Sequence, residues 1–223
     1  MKSAVDNILA LDTSTEVLAI SIACSGASVS MAMRKGLQHA SSLIPVIDQL
    51  MARLGISASD IDLVVCSLGP GSFTGIRIGL ATALGIASAR EIPVVGVSTL
   101  DAIAEPWQWH RGEVYPVIDA RKGRIYTAAF HAGRRLGDYM DLTPPELGNR
   151  LSGAPDPILA GPDARRVRSL IGNDSGGSPC AEVFDPAAFL RLGVAKYQKE
   201  GADPLPLRPL YLRKSEAEIA SGR

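Results

Sequence analysis

The chain has 223 residues, of which 46% are hydrophobic and 21% charged, so it is long enough to bury one or two cores without disulfide or metal support. Lysine plus arginine and aspartate plus glutamate both number 23, and this balance excludes the basic excess typical of proteins that bind nucleic acid unaided. Three scattered cysteines without a CxxC pair indicate reduced thiols, and neither a signal peptide nor a membrane-length apolar run is evident, so we expect a cytoplasmic protein without a membrane segment.

The first half of the chain reads as three strands followed by alternating helices and strands. An apolar run ends in Asp12 and a polar turn, and two further strands follow before the apolar spacing changes to that of a helix. The predicted elements are strands at 8–11, 17–23 and 29–34, a helix at 42–54, a strand at 63–66, a loop at 69–75, a helix at 76–90, a strand at 93–97 and a short helix at 100–104. This order predicts a mixed sheet with helices packed on it.

The second half repeats this order with shorter elements. A strand ends in Asp119, a second hairpin follows, and strands and helices then alternate as far as a helix that begins after Asp185 and Pro186. The repeat predicts an α/β fold of two tandem ribonuclease-H-like lobes, the actin-like ATPase (ASKHA) arrangement, with mixed sheets flanked by helices and a smaller second lobe. We expect residues 1–106 to form the first lobe, residues 107–206 the second, and residues 207–223 to return to the first.

The loop at 69–75, between the strand at 63–66 and the helix at 76–90, is a candidate phosphate-binding site. Gly69 and Gly71 flank a proline, and Ser72 or Thr74 can cap the helix, whose free N–H groups suit an anion. The loop lacks the lysine of a Walker motif, and its glycine spacing does not fit the dinucleotide fingerprint. With the Asp12 corner it forms a set of nucleotide-proximal candidates: Asp12, Thr13, Ser14, Gly69, Gly71 and Ser72.

The helix after this loop carries glycines on one face. Gly75, Gly79, Thr82 and Ile86 share that face, and a glycine inside a helix costs up to about 1 kcal/mol against alanine. Close approach of another backbone would compensate, and that backbone belongs either to the protein's own sheet or to a second chain. In the second case Gly79→Arg is expected to abolish pairing while leaving the lobe folded.

An apolar residue outside the main apolar face of the first helix favours the interpretation that a second chain binds here. Ile44 lies off the stripe of the first helix, so the two helices together predict a dimerisation surface. The predicted partner-interface residues are His39, Ile44, Ile47, Met51, Phe73, Gly75, Ile76, Gly79, Thr82 and Ile86.

The remaining polar residues do not assemble into a catalytic motif. The three histidines, His39, His110 and His131, are far apart in the sequence, so no helical pair exists to bind a metal. No serine lies in a GxSxG elbow. We therefore assign no catalytic residue, no metal site and no cofactor of the chain's own.

Several segments resemble one known family. They are LALDTST at 9–15, His39 with LIPVID at 43–48, LGPGSFTGIRIG at 68–79, GVSTL at 96–100 and PLYLR at 209–213. These segments resemble the TsaB (YeaZ) family of bacterial tRNA threonylcarbamoyladenosine biosynthesis proteins. The resemblance is strong in the first lobe and diffuse in the second.

The resemblance implies a non-catalytic subunit with an actin-like fold. Such proteins pair with a TsaD-type catalytic subunit, which works with a TsaE-type ATPase to transfer threonylcarbamoyl to the adenosine next to the anticodon. In isolation they form homodimers through the two first-lobe helices, and they meet tRNA only through the complex, with ATP or ADP at the partner junction as a further expectation. The catalytic relative binds its metal with a helical histidine pair, whereas here Leu43 stands four residues after His39.

Two other functions are compatible with parts of the pattern. One is an ATP-binding enzyme of the actin-like superfamily, or a glycoprotease-like hydrolase, although the turn at Thr13–Thr15 lacks a glycine for close approach to phosphate. The other is a stand-alone RNA-binding module, which the zero net charge disfavours.

Overall fold

Two sheets, each covered by helices, organise the chain into two units. The structure is a computed structural model that describes residues 5–34, 39–172 and 179–213. The described residues up to Ala102 and the segment Asp185–Pro209 form the first unit, and the second unit contains Ile103–Phe184 and the described chain from Leu210. Within the described ranges, no helix has the length and hydropathy needed to cross a bilayer.

The first unit contains a five-stranded mixed sheet. Its strands are β1 (Asn7–Asp12), β2 (Val17–Cys24), β3 (Ala27–Arg34), β4 (Leu63–Gly69) and β5 (Val94–Ser98). The order is β3-β2-β1-β4-β5; the first three strands pair antiparallel, and β1, β4 and β5 run parallel. The near-continuous apolar runs of β1 and β4 suit central strands that are buried on both faces.

Four helices accompany the strands of the first unit. They are α1 (His39–Leu54), α2 (Phe73–Arg90), the short α3 (Thr99–Ala104) at the boundary between the units, and α6 (Ala187–Glu200), which comes late in the sequence. The buried side of α1 contains Leu43, Ile47, Leu50 and Met51, and Ile44 lies off it, as predicted. Both α1 and α2 begin about three residues earlier than predicted, and Pro45 lies inside α1.

The second unit repeats the strand order of the first. Its elements are β6 (Glu113–Asp119), β7 (Ile125–Thr127), β8 (Phe130–His131), β9 (Arg134–Arg135), β10 (Met140–Leu142), α4 (Pro144–Gly153), β11 (Ile158–Ala160), α5 (Ala164–Ile171) and β12 (Cys180–Ala181). The path β10-β7-β6-β11-β12 has the same antiparallel and parallel pairings as the first sheet, and β8 and β9 form an additional hairpin beside β6. The predicted duplication and the predicted mixed α/β fold are confirmed.

The boundaries between the units differ from the predicted ones. Helix α6 was expected in the second lobe, but it packs on the first sheet, where Gly193 lies directly against Val65. Leu207 also belongs to the core of the first unit, whereas Leu210–Arg213 lie with the second unit. The rest of the predicted returning segment, residues 214–223, lies outside the described residues. Chain order does not reveal which of two similar sheets an amphipathic helix covers.

Candidate functional site

A fully buried carboxyl group marks the end of β1. Asp12 accepts a hydrogen bond from the backbone N–H of Ser14 through Oδ1, at 2.8 Å. Its second oxygen, Oδ2, has no hydrogen-bond partner within the described residues. Burial raises the pKa of Asp12, and the hydrogen bonds from Ser14, a weaker interaction with Ser67 and the proximity of His39 offset only part of that rise. Asp12 therefore closes a turn inside the protein, out of contact with solvent.

The glycine-rich loop packs directly on this corner. The N–H of Ser72 donates to the carbonyl oxygen of Ser14 at 2.6 Å, and a Cβ atom on Gly71 would lie 2.2 Å from that same oxygen. Only glycine permits so close an approach at position 71. The Ser72 hydroxyl accepts from the N–H of Gly75 at 3.2 Å and caps α2, as one of the two predicted alternatives.

Three hydroxyl groups link the carboxyl ends of the parallel strands. The hydroxyl of Thr99 lies 2.7 Å from that of Ser14 and 2.6 Å from that of Ser67, and Ser67 accepts from the N–H of Gly69 at 3.0 Å. The sequence prediction missed Ser67 and Thr99. Each stands at or just beyond the end of an apolar strand, and that position was the available signal.

The structure thus brings all six nucleotide-proximal candidates together, but it fills the space between them with the protein's own atoms. Asp12, Thr13, Ser14 and Gly69 are buried, Gly71 is half-buried, and the Ser72 side chain is exposed at the start of α2. The hydroxyls and N–H groups that would meet a phosphate bond to one another and to backbone carbonyls. Within the described residues the corner therefore links the turn after β1 to the end of β4, to the start of α3 and to the loop before α2.

Gly75 and Gly79 of α2 also face this corner, which corrects an inference drawn from the sequence. A Cβ on Gly75 would lie 2.0 Å from the carbonyl oxygen of Thr13, and a Cβ on Gly79 would lie 2.5 Å from the hydroxyl of Thr13. The Thr13 hydroxyl donates to the Gly75 carbonyl at 2.6 Å. Of the two explanations left open, the protein's own chain supplies the close backbone, at Thr13 directly after β1, so the second-chain explanation of these glycines is wrong. Gly79→Arg would disrupt the fold of the unit as well as any pairing.

His39 is buried at the start of α1, where we had expected an interface residue. Its Nε2 lies 2.7 Å from the carbonyl oxygen of Thr15, so this nitrogen carries the proton and donates it. The other ring nitrogen, Nδ1, is buried without a hydrogen-bond partner among the described residues. The histidine fixes the start of α1 to the turn after β1 and is not available to a partner.

The other predicted interface residues divide into a buried group and an accessible group. Ile47, Met51 and Ile76 belong to the core of the first unit, so their predicted place at a partner surface is not supported. Ile44 is 47% exposed, and the half-buried residues are Phe73, Thr82 and Ile86. Ala81 and Gly85 are exposed small residues of α2, and a Cβ on Gly85 would meet nothing within 4 Å. We call Ile44, Phe73, Ala81, Thr82, Gly85 and Ile86 together the α1–α2 face.

The thiols and other potential metal ligands are dispersed. The described residues contain no group of three or more histidine, cysteine, aspartate or glutamate side chains placed to bind a metal ion. Cys24, Cys66 and Cys180 are free thiols, and burial raises the pKa of Cys66 to about 12, so this thiol is unreactive near neutral pH.

The second aspartate corner repeats the turn of the first in a more exposed setting. Asp119 accepts from the N–H of Arg121 at 2.8 Å, which matches the bond from Ser14 to Asp12. Its carboxylate also binds the guanidinium of Arg166 at 2.6 Å, and its N–H donates to the carboxylate of Asp163 at 3.0 Å. Arginine side chains therefore contact the carboxylate of Asp119, whereas serine hydroxyl groups lie near the carboxyl group of Asp12.

Comparison with known proteins finds consistent relatives. Residues 34–148 match the family model described as "TsaD: tRNA N6-adenosine threonylcarbamoyltransferase". A curated relative from Haemophilus influenzae, "tRNA threonylcarbamoyladenosine biosynthesis protein TsaB", is 35% identical over 92% of this chain and 93% of its own length. The Bacillus subtilis protein of the same name is 28% identical over 95% of this chain and 96% of its own length. The solved structure of YeaZ from Pseudomonas aeruginosa is 26% identical, with a TM-score of 0.79 over 93% of this chain and 100% of that one.

Proposed function

The chain belongs to the TsaB (YeaZ) family of tRNA threonylcarbamoyladenosine biosynthesis proteins, and from that premise we propose that it acts in this tRNA modification as a non-catalytic subunit supporting a TsaD-type catalytic subunit. The observation that carries the proposal is the 35% identity to the Haemophilus influenzae TsaB over nearly the full length of both chains. The matched family model bears the name of a transferase, so the non-catalytic role proposed for this chain rests on separate structural observations.

The state of the Asp12 corner supports a non-catalytic role. A carboxylate that binds a metal–nucleotide must be charged and reachable, whereas Asp12 is fully buried with a raised pKa. The turn and the loop that would hold phosphate are joined by the bond from Ser72 to Ser14. A nucleotide phosphate would have to break that bond before it could reach the corner.

The α1–α2 face is the surface we assign to the catalytic partner. It combines the exposed Ile44 with half-buried apolar residues and with small residues that allow a second helix to approach closely. This face replaces the predicted set, whose other members are buried in the first unit. The homodimer of the isolated chain is expected to use the same face, and the TsaE-type ATPase is expected to join the complex through the catalytic subunit.

Reconstitution from purified components tests the proposal. The chain, a TsaD-type subunit and a TsaE-type ATPase are incubated with an unmodified tRNA, the threonylcarbamoyl adenylate donor and ATP, and the tRNA nucleosides are analysed by mass spectrometry. We expect modified adenosine only when this chain and the TsaD-type subunit are both present. Modified adenosine formed by this chain without the TsaD-type subunit would overturn the non-catalytic assignment, and full activity without this chain would overturn its role as a required subunit.

Nucleotide binding separates this proposal from the ATP-binding enzyme. We expect ATP and ADP to bind the assembled pair of subunits and not the isolated chain, because the corner of the isolated chain is closed by its own contacts. Calorimetric titration of ATP into the chain alone is the measurement. Micromolar affinity together with ATP turnover in the absence of a partner would favour the enzyme.

A further inference from the structure

Four basic side chains gather on one side of the second aspartate corner. Arg121 and Lys122 lie in the turn between β6 and β7, and Arg165 and Arg166 lie in the first turn of α5; all four are exposed. We call these residues the basic corner. They are distant in the sequence, and the shared contact of Arg121 and Arg166 with the carboxylate of Asp119, at 3.9 and 2.6 Å, brings the two elements together.

The acids near the basic corner do not cancel its charge at the surface. The side chain of Asp119 is only 7% exposed, and Asp163 is buried beneath it, whereas the side chains of Arg121 and Arg166 remain more than half exposed. Glu182, whose side chain is 37% exposed, pairs with Arg165 at 3.1 Å, and the side chain of Arg165 remains 81% exposed. The carboxylates of Asp119 and Glu182 therefore fix the positions of the three arginines, whose side chains remain more than half exposed to solvent.

A neighbouring arginine shows the contrasting case. Arg124, at the end of the same turn, points away and binds Asp141 at 2.9 Å, with Glu146 at 3.9 Å. Asp141 and Glu146 pair with Arg124 on that side of the hairpin, where Arg213 also approaches Asp141 at 3.7 Å, whereas the exposed Arg121 and Arg166 meet on the side towards α5. A localised basic patch on a chain of zero net charge is the pattern expected for a surface that binds polyanions by contact with phosphates.

We infer that the basic corner is a phosphate-contacting surface for the tRNA backbone. Arginine and lysine side chains with several outward N–H donors suit phosphodiester oxygens, and contacts of this kind position a nucleic acid without reading its sequence. The proposal rests on the proposed function, which supplies tRNA as the polyanion. It refines that function, because this chain then contributes directly to holding the substrate of the catalytic subunit.

A matched pair of double variants tests the inference. Lys122→Gln with Arg165→Gln removes two charges from the basic corner but leaves the pairing of Arg166 with Asp119, which supports the fold. Glutamine at position 122 introduces no new backbone strain, since the left-handed conformation there already holds a side chain. The control, Lys199→Gln with Arg191→Gln, removes the same charges from α6, where each residue pairs with an acid as Arg165 pairs with Glu182.

Binding of an unmodified tRNA transcript to the complex of this chain and its TsaD-type subunit is measured over a range of salt concentrations. We expect the basic-corner variant to bind tRNA more weakly than wild type. The slope of log affinity against log salt should fall in magnitude by about 1 to 2, because each phosphate contact contributes about 0.7 to 0.9 to that slope. The control variant should retain the wild-type affinity and slope. Circular dichroism confirms that both variants are folded.

Two other outcomes would overturn the inference. One is an unchanged slope in the basic-corner variant. The other is loss of binding to the TsaD-type subunit with tRNA binding intact, which would make the basic corner a protein interface. The same titration with the chain alone separates this inference from the proposed function. A wild-type chain that does not bind the TsaD-type subunit would contradict the proposed function, while the difference in slope between the variants would still decide the role of the basic corner.

Discussion

Buried polar residues at the end of β1 determine how the first unit is held together. Asp12, Ser14 and Thr13 each bond to a different neighbouring group: the turn itself, the start of α3 and the start of α2. These side chains bond to groups of the protein's own chain, and one oxygen of Asp12 has no hydrogen-bond partner within the described residues. Positions in the sequence identified the corner, but they did not show whether it opens to solvent, because that depends on how closely the loop at Gly71 approaches Ser14.

Replacing Asp12 by asparagine should preserve the fold and change its dependence on pH. Asparagine keeps the oxygen that accepts from Ser14 and adds an N–H₂ group on the side of the unpaired oxygen, so we expect the free energy of unfolding at neutral pH to stay within about 1 kcal/mol of wild type or to rise. Asp12→Ala leaves the Ser14 N–H unpaired and should cost about 1 to 3 kcal/mol. Urea unfolding of both variants is the measurement.

The pH dependence follows from the direction of the pKa shift. Burial places the pKa of Asp12 in the folded state above its value of 3.8 in the unfolded chain, so the folded state binds the proton more tightly. The stabilisation is fully present below the unfolded-state pKa and is lost as pH rises from 3.8 through the raised folded-state pKa. Asp12→Asn should lack this decline. A wild-type stability that increased with pH over that window, relative to the asparagine variant, would contradict a buried, uncompensated Asp12.

Helix α2 has two kinds of glycine that periodicity alone does not distinguish. Gly75 and Gly79 lie against β1, and Gly85 faces open space. The sequence correctly indicated that Gly75 and Gly79 compensate their helix cost through close contact, but the partner in that contact is the protein's own chain and not the second chain that the prediction favoured. The sheet-facing side became identifiable only when the positions of Thr13 and Leu11 relative to α2 were known. By contrast, the buried stripe of α1 was predictable, since large apolar residues mark one face clearly.

Alanine at each of two glycines in α2 should have opposite effects on stability. Gly79→Ala places a methyl group 2.5 Å from the Thr13 hydroxyl and should destabilise the first unit by about 1 to 3 kcal/mol. Gly85→Ala meets no atom within 4 Å and should stabilise it by up to about 1 kcal/mol through helix propensity. Chemical denaturation of the two variants measures the difference. Equal effects would mean that Gly79 is not in contact with the β1 corner.

Glutamate in place of Ile44 should weaken partner binding without unfolding the chain. Ile44 is 47% exposed, so its replacement should alter the free energy of unfolding by no more than about 0.5 kcal/mol. A charge buried within an apolar contact should lower affinity for the TsaD-type subunit at least tenfold, or about 1.4 kcal/mol. Calorimetry measures the affinity, and Gln49→Glu, an exposed position on the same helix, serves as the control. Wild-type affinity of the Ile44 variant would remove the α1–α2 face as the partner surface.

At the scale of the whole molecule, the duplicated strand order was predictable and the division of the chain between the units was not. Each half has its own aspartate corner and its own change from antiparallel to parallel pairing, and these features follow from local patterns. The long-range return of the chain to the first unit depends on a few contacts that no local pattern contains. Asp203 is one of these: its N–H donates to the carbonyl of Val94, and its carboxylate binds the N–H of Gly96 and the ammonium of Lys196.

A bulky residue at position 193 should therefore destabilise the first unit, although Gly193 follows the second unit in the sequence. A Cβ there would lie 2.4 Å from a methyl group of Val65 on β4, so Gly193→Val should force α6 away from the sheet at a cost of about 1 to 3 kcal/mol. Hydrogen exchange followed by mass spectrometry should show faster exchange in β1 and β4. Gly85→Val introduces the same side chain into an open position of α2 and controls for helix propensity. Faster exchange confined to β6 and β11 would instead place α6 on the second sheet, because a helix protects the strands that it covers.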